Sequence, residues 1–108
     1  MTQFDVFLNP SRTSRSSYPL VVVLQTELSA ASAERVIAPL VPWGAAQTPA
    51  GKWSGRLAPK VSVDDADYAV LVQSMQSVPT RILVGRVASL SDYRAPIQSA
   101  IDLLFFGV

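Results

Sequence analysis

Ser91-Asp92-Tyr93-Arg94-Ala95-Pro96-Ile97-Gln98-Ser99-Ala100-Ile101-Asp102-Leu103-Leu104-Phe105-Phe106-Gly107-Val108 is the stretch where the chain changes period. Ile97, Ala100, Ile101 and Leu104 stand at i, i+3, i+4 and i+7, which is one helical face. Ser91 or Asp92 is placed to cap its start. Pro96 has no N–H, so regular helix is predicted to begin near it rather than at Asp92. At about 100° per residue, those four side chains gather on one side. Ser99, Asp102 and Phe106 fall on the other, with Phe105 at the edge. Phe106 therefore points away from the core, beside polar residues. An aromatic there needs a partner surface, a second protomer or a neighbouring loop. The alternative is that the helix has frayed and Phe106 tucks back in.

Upstream, the pattern is that of strands. Phe4 to Leu8 reads as a short strand, and Asn9 to Pro19 is polar and turn-rich. Leu20-Val21-Val22-Val23-Leu24 is a buried β run. Together they form a hairpin with a long basic tip. Val36-Ile37-Ala38-Pro39-Leu40 is a third strand, in which Pro39 suggests an edge or a bulge. Val41 to Gly55 is a loop carrying Trp43 and Trp53. Lys60 to Val63 alternates, Asp64-Asp65-Ala66-Asp67 turns, and Tyr68 to Val72 continues as strand. Ser77-Val78-Pro79 breaks the chain, and Ile82 to Val87 is a further strand. Strands closed by one helix give a small, mainly antiparallel α+β fold, a single domain over residues 1–108.

Composition narrows the function. Apolar residues make up 49% of the 108 and charged residues only 16%, against about 25% charged in typical domains. A homodimer is the simplest cover for the excess apolar surface. Net charge is +1 with no basic run, so direct nucleic-acid binding is not expected. The chain has no Cys and no His. That removes disulfides, thiolate metal sites and the commonest general base. There is no G-x-S-x-G elbow and no phosphate loop, and no cofactor is expected. A hydrolase working with Arg and Asp stays open, since carboxylates can do acid–base work. Nothing in the spacing points to one, and a protein-binding role, not an enzyme, is expected. Asp64, Asp65 and Asp67 read as a turn rather than a metal site, because Asp bonds its own backbone in tight turns. The N-terminus lacks a leader-like pattern and no apolar run reaches about 18 residues. A cytoplasmic protein that does not touch membranes is expected. Trp43 and Trp53 are equally readable as recognition aromatics or as pins for a long loop. Arg12 and Arg15 read as a solvated tip or as the dock for an acidic partner segment.

The tail Ala100-Ile101-Asp102-Leu103-Leu104-Phe105-Phe106-Gly107-Val108 resembles the end of the CcdB family of toxins, which closes on Ala-Ile-Asn-Leu-Met-Phe-Trp-Gly-Ile. Gln3-Phe4-Asp5-Val6-Phe7 is similar to that family's opening strand. Val36 to Leu40 is similar to its central Pro-Leu strand. Met75 to Pro79 resembles its Met-Ala-Ser-Val-Pro segment, and Val87 to Ser91 its Val-Ala-Asp-Leu-Ser approach to the last helix. The likeness runs in order through the whole chain, with extra length in Asn9–Pro19 and Val41–Gly55. It implies an SH3-like barrel or twisted antiparallel sheet with a small accessory β wing and one C-terminal helix. It also implies a homodimer that binds the A subunit of DNA gyrase and traps it on cleaved DNA. A CcdA-like antitoxin neutralises such toxins. Carried over residue by residue, the implied gyrase-binding positions are Asp102, Phe105, Phe106, Gly107 and Val108, with Leu28 and Ser29 after the second strand. Phe105 and Gly107 match the family, whereas Asp102, Phe106, Val108 and Ser29 stand for its Asn, Trp, Ile and Ile. Arg12 and Arg15 are the candidate antitoxin-binding residues. MazF-type ribonuclease toxins share the implied fold, so an endoribonuclease is the first alternative. A degenerate homologue that only binds an antitoxin is the second.

Overall fold

The computed structural model describes residues 1–29, 33–46 and 56–107; Trp53 and Val108, and the side chain of Ser29, lie outside them. β2 (Leu20–Val23) is where the sheet is densest. Its four side chains are all buried, because a strand covered on both faces has no polar side to show. β1 (Asp5–Leu8) lies antiparallel on one edge with Val6 opposite Val22. β3 (Glu34–Pro42) lies on the other with Ala38 opposite Val22. β7 (Arg86–Ser89) pairs with the outer edge of β1, placing Ala88 beside Val6. One row of small and branched side chains, Ala88-Val6-Val22-Ala38, thus crosses four strands.

β3 also carries the rest of the sheet. β5 (Ala66–Val70) and β6 (Gln76–Pro79) both run antiparallel to it, and β4 (Lys60–Val63) pairs with β5. The order is β4-β5-β3-β2-β1-β7, with β6 also on β3. All seven described strands belong to this curled antiparallel sheet, and Asn9 to Pro19 is a turn-rich loop. No ladder joins β4 to β7 among the described residues. Instead the Ser62 N–H on β4 donates to the Tyr93 hydroxyl at 3.2 Å, just before the helix.

Pro39 is not at an edge, as its type suggested, but in the most heavily paired strand. Its carbonyl accepts the Leu71 N–H at 2.9 Å, and the return bond that a proline cannot give is missing. There β5 ends. Residues 71–75 leave the ladder through a 3₁₀ turn at Val72–Ser74, and β6 resumes opposite Ile37. The proline thus interrupts a neighbour instead of occupying a margin. The expected chain break at Ser77-Val78-Pro79 is accordingly a strand.

Two turns also differ from expectation. Asp64 and Asp65 alone connect β4 to β5, with φ of 50° and 65°. That is the doubly left-handed two-residue hairpin turn, in which Asp is tolerated. Ala66 and Asp67 are already strand. The strand read at Ile82 to Val87 is shorter: Thr80–Ile82 is a 3₁₀ turn, Gly85 has φ +72°, and β7 starts at Arg86. A left-handed glycine cannot continue a pleat.

α2 (Arg94–Phe106) closes one face. Ile97 and Ala100 are fully buried in a cluster with Phe4, Val6, Val22, Ala38, Leu40, Val61, Val70 and Leu90. The opposite face of β1–β3 is covered by Val78 and Leu83, packed on Phe7, Val21, Val23 and Ile37. A third cluster gathers Val41, Ala46, Ala58, Ala69 and Leu71 near α1 (Trp43–Ala46). Ile97→Ala opens a cavity under α2 and should lower the unfolding free energy by roughly 2–4 kcal/mol. Tyr93→Phe removes only the hydroxyl that covers the β4 edge and should remove about 1 kcal/mol. Urea unfolding of the two variants checks this; a Tyr93→Phe protein as stable as the parent would show that the edge does not depend on that bond.

Candidate functional site

The helix end is built to project. A 3₁₀ turn at Ser91–Tyr93 leads into α2, so neither Ser91 nor Asp92 caps it; the boundary residue is Tyr93, without a side-chain cap. Pro96 sits in the first turn, where its missing N–H would have no intrahelical partner anyway. Ile101 and Leu104 pack at the margin of the main cluster. Beyond Leu104 the core gives out, and Phe105 is 61% and Phe106 74% exposed. The reading of Phe106 as outward-facing agrees with this. Phe105, placed by sequence at the edge of the apolar face, faces water as well. Gly107 takes φ +73° and its N–H donates to the Leu103 carbonyl at 3.0 Å. This is the left-handed cap that ends a helix and turns the chain away from its axis.

Asp102 is half-buried on the same helix end and makes no ion pair or side-chain hydrogen bond among the described residues. Two adjacent phenylalanines in water leave unburied an apolar area that normally contributes about 1.5–3 kcal/mol per side chain. With a carboxylate one turn behind them, they form a surface suited to another protein. Among the described residues no group of His, Cys, Asp or Glu is disposed to hold a metal ion, and no helix is long and apolar enough to cross a membrane.

Leu28 is the most exposed large apolar residue described, at 94%. It sits on a single 3₁₀ turn, Glu27–Ser29, beyond the C-terminal end of β2. Its N–H donates to the Thr26 hydroxyl at 3.3 Å. The Glu27 carboxylate accepts the N–H of Gln3 at 3.2 Å. Backbone hydrogen bonds, its own N–H first and then that of Gln3, hold its pKa below the ordinary glutamate range. A depressed carboxylate contributes fully above its unfolded pKa and loses its contribution as pH falls through the folded value. The contact is thus intact at neutral pH.

Arg12 and Arg15 lie at the opposite end of β2, on the loop from β1. Asn9 organises that loop, and sequence alone did not single it out. It is 6% exposed, donates to the Ser14 hydroxyl and the Tyr18 carbonyl, and accepts from Ser11 N–H. Arg15 Nε donates to the Asn9 carbonyl at 2.8 Å, while the Arg12 side chain is exposed. Trp43 packs on the third cluster, and Lys60 Nζ lies 5.2 Å from its ring. Trp43, read from the sequence as part of a loop, is the first residue of α1 and packs against the core.

The structure thus groups Asp102, Phe105, Phe106 and Gly107 on one helix end, Leu28 on a separate turn, and Arg12 with Arg15 on a third segment. A comparison with protein-family models matches residues 3–107 to the family described as CcdB protein. That match spans all seven described strands and α2, and so the chain belongs to the CcdB family of toxins.

Proposed function

We propose that this chain is the toxin of a toxin–antitoxin module and that the end of α2 grips the A subunit of DNA gyrase, trapping the enzyme on cleaved DNA. The observation that carries the reading is the pair Phe105-Phe106, left in water beyond the core and followed by a left-handed Gly107. Membership of the CcdB family supports it. CcdB-family toxins are not enzymes, and the reading needs no catalytic residue, cofactor or metal. Phe106, Gly107, Val108, Phe105 and Asp102 are the gripping residues, with Leu28 and Ser29 as a second contact. The active species is a homodimer, which presents the tail twice. A CcdA-like antitoxin, docking in part on Arg12 and Arg15, removes the toxin from gyrase. An extended, acidic segment suits such arginines, and its folding on binding allows a short peptide to cover a wide surface.

Phe106 supplies a stacking face but no indole N–H, and Asp102 brings a charge to the contact. Affinity therefore depends on a gyrase surface that offers an apolar slot beside a donor. Aromatic anchors in such slots commonly account for 2 kcal/mol or more on truncation, so Phe106→Ala should weaken gyrase binding by roughly 30-fold or more. Supercoiling and cleavage-trapping assays with gyrase from the native host read this directly. Undiminished cleavage trapping by Phe106→Ala, at an unchanged unfolding midpoint, would refute the assignment. Light scattering at micromolar concentration should return the mass of a dimer, and a monomer mass would remove the doubled tail.

A further inference from the structure

The turn that carries Leu28 is a single exposed 3₁₀ turn, a form with poor hydrogen-bond geometry, and among the described residues no strand pairing reaches it. Gln3 ties it to the rest of the fold. Its backbone N–H donates to Glu27 Oε2 at 3.2 Å, and its side-chain Nε2 donates to the Leu24 carbonyl at 2.9 Å. Its Oε1 accepts from Arg94 Nη1 at 3.4 Å. One residue thus uses a backbone donor, an amide donor and an amide acceptor on three segments: the turn, the end of β2 and the first residue of α2.

The neighbouring residue reinforces this placement. Phe4 takes φ +71°, a left-handed conformation that a bulky side chain rarely adopts. Its N–H donates to the Val23 carbonyl at 2.7 Å and its carbonyl accepts the Leu90 N–H at 2.8 Å. The Arg94 guanidinium lies 5.0 Å from its ring centroid. A strained residue held from both sides persists only where the surroundings over-determine it. The kink carries the chain from Gln3, between the end of β2 and the start of α2, into β1.

We propose that Gln3, with Arg94, is a positioning residue that fixes the Leu28 turn relative to α2, so that Leu28 and the Phe105-Phe106 end meet one partner surface in a set geometry. This rests on the reading of both elements as parts of one gyrase contact. Gln3 itself need not touch the partner.

Amide hydrogen exchange on the full chain tests the attachment without any partner. Gln3→Ala keeps the backbone N–H on Glu27 but removes the amide bonds to Leu24 and Arg94 that hold that N–H in place. It should therefore speed exchange at residues 27–29 by roughly tenfold, as expected for local opening. The β1–β2 ladder amides should not change. Arg94→Met, which removes only the helix side, gives the second reading and should act in the same direction. Unchanged exchange at residues 27–29 in both variants overturns the proposal. A double-mutant cycle then tests function. Gln3→Ala should weaken binding to the gyrase A subunit by about fivefold, and in a Leu28→Ala background by almost nothing. A Gln3→Ala loss that persists undiminished in that background overturns the positioning role. So does unaltered binding by Gln3→Ala where Phe106→Ala still weakens it. If exchange responds but neither Phe106→Ala nor Gln3→Ala changes gyrase affinity, the attachment stands and the gyrase reading falls.

Discussion

Everything in this fold is arranged around the burial of four residues. Leu20–Val23 is hydrogen-bonded on both edges and covered on both faces. Each neighbour it recruits comes from a different part of the chain: β1 from the start, β3 from the middle and α2 from the end. A strand in that position must be apolar throughout, since any polar side chain would meet either α2 or the layer of Val78 and Leu83 without a partner. Ala38, Ala88 and Ala100 are the counterpart of this constraint. Small side chains beside branched ones let the helix approach the sheet closely enough to exclude water.

The same constraint decides how much of α2 is available for other work. The buried cluster uses Ile97 and Ala100 fully and Ile101 and Leu104 in part, and then the sheet beneath ends. The helix continues for two residues more, and both are phenylalanine. Folding and recognition are in this way separated along one helix, with the first turns committed to the core and the last to the outside. Leu28 follows the same logic on a smaller scale: it stands just past the end of β2, where core side chains are no longer required.

Much of this was legible in the sequence where a periodic pattern met a single structural demand. The face of α2 and the outward Phe106 followed from helical spacing, and the continuous apolar run of β2 followed from burial on both sides. What escaped were features whose cause lies elsewhere in the chain. Pro39 reads locally as an edge or a bulge, and only the arrival of β5 and β6 on one flank of β3 shows that it marks their junction. Gly85 sits in an apolar run that resembles strand, yet its left-handed φ delays β7. Asn9 looks like ordinary loop composition, although it organises the loop through three side-chain hydrogen bonds. The positive φ of Phe4 has no local signal at all, because the forces that hold it come from Val23, Leu90 and Arg94. The residues proposed to contact gyrase were reached by likeness to the family, and Phe105, Phe106 and Leu28 among them are exposed.

The pairing of β1 with β7 has a consequence for the life of the chain on the ribosome. Asp5, 4% exposed, meets Arg86 at 3.4 Å, and Val6 meets Ala88, so β1 finds its outer neighbour in a strand made much later than itself. Contacts this far apart in sequence form late, because the loop between their ends must be closed first. A nascent chain that has not yet released residues 86–106 has an open edge on β1 and an uncovered row at Val6, Val22 and Ala38. It also lacks Phe105 and Phe106. Topology therefore acts as a timer: the surface proposed to poison gyrase and the packing that stabilises the protein come into being together, when residues 86–106 join the fold.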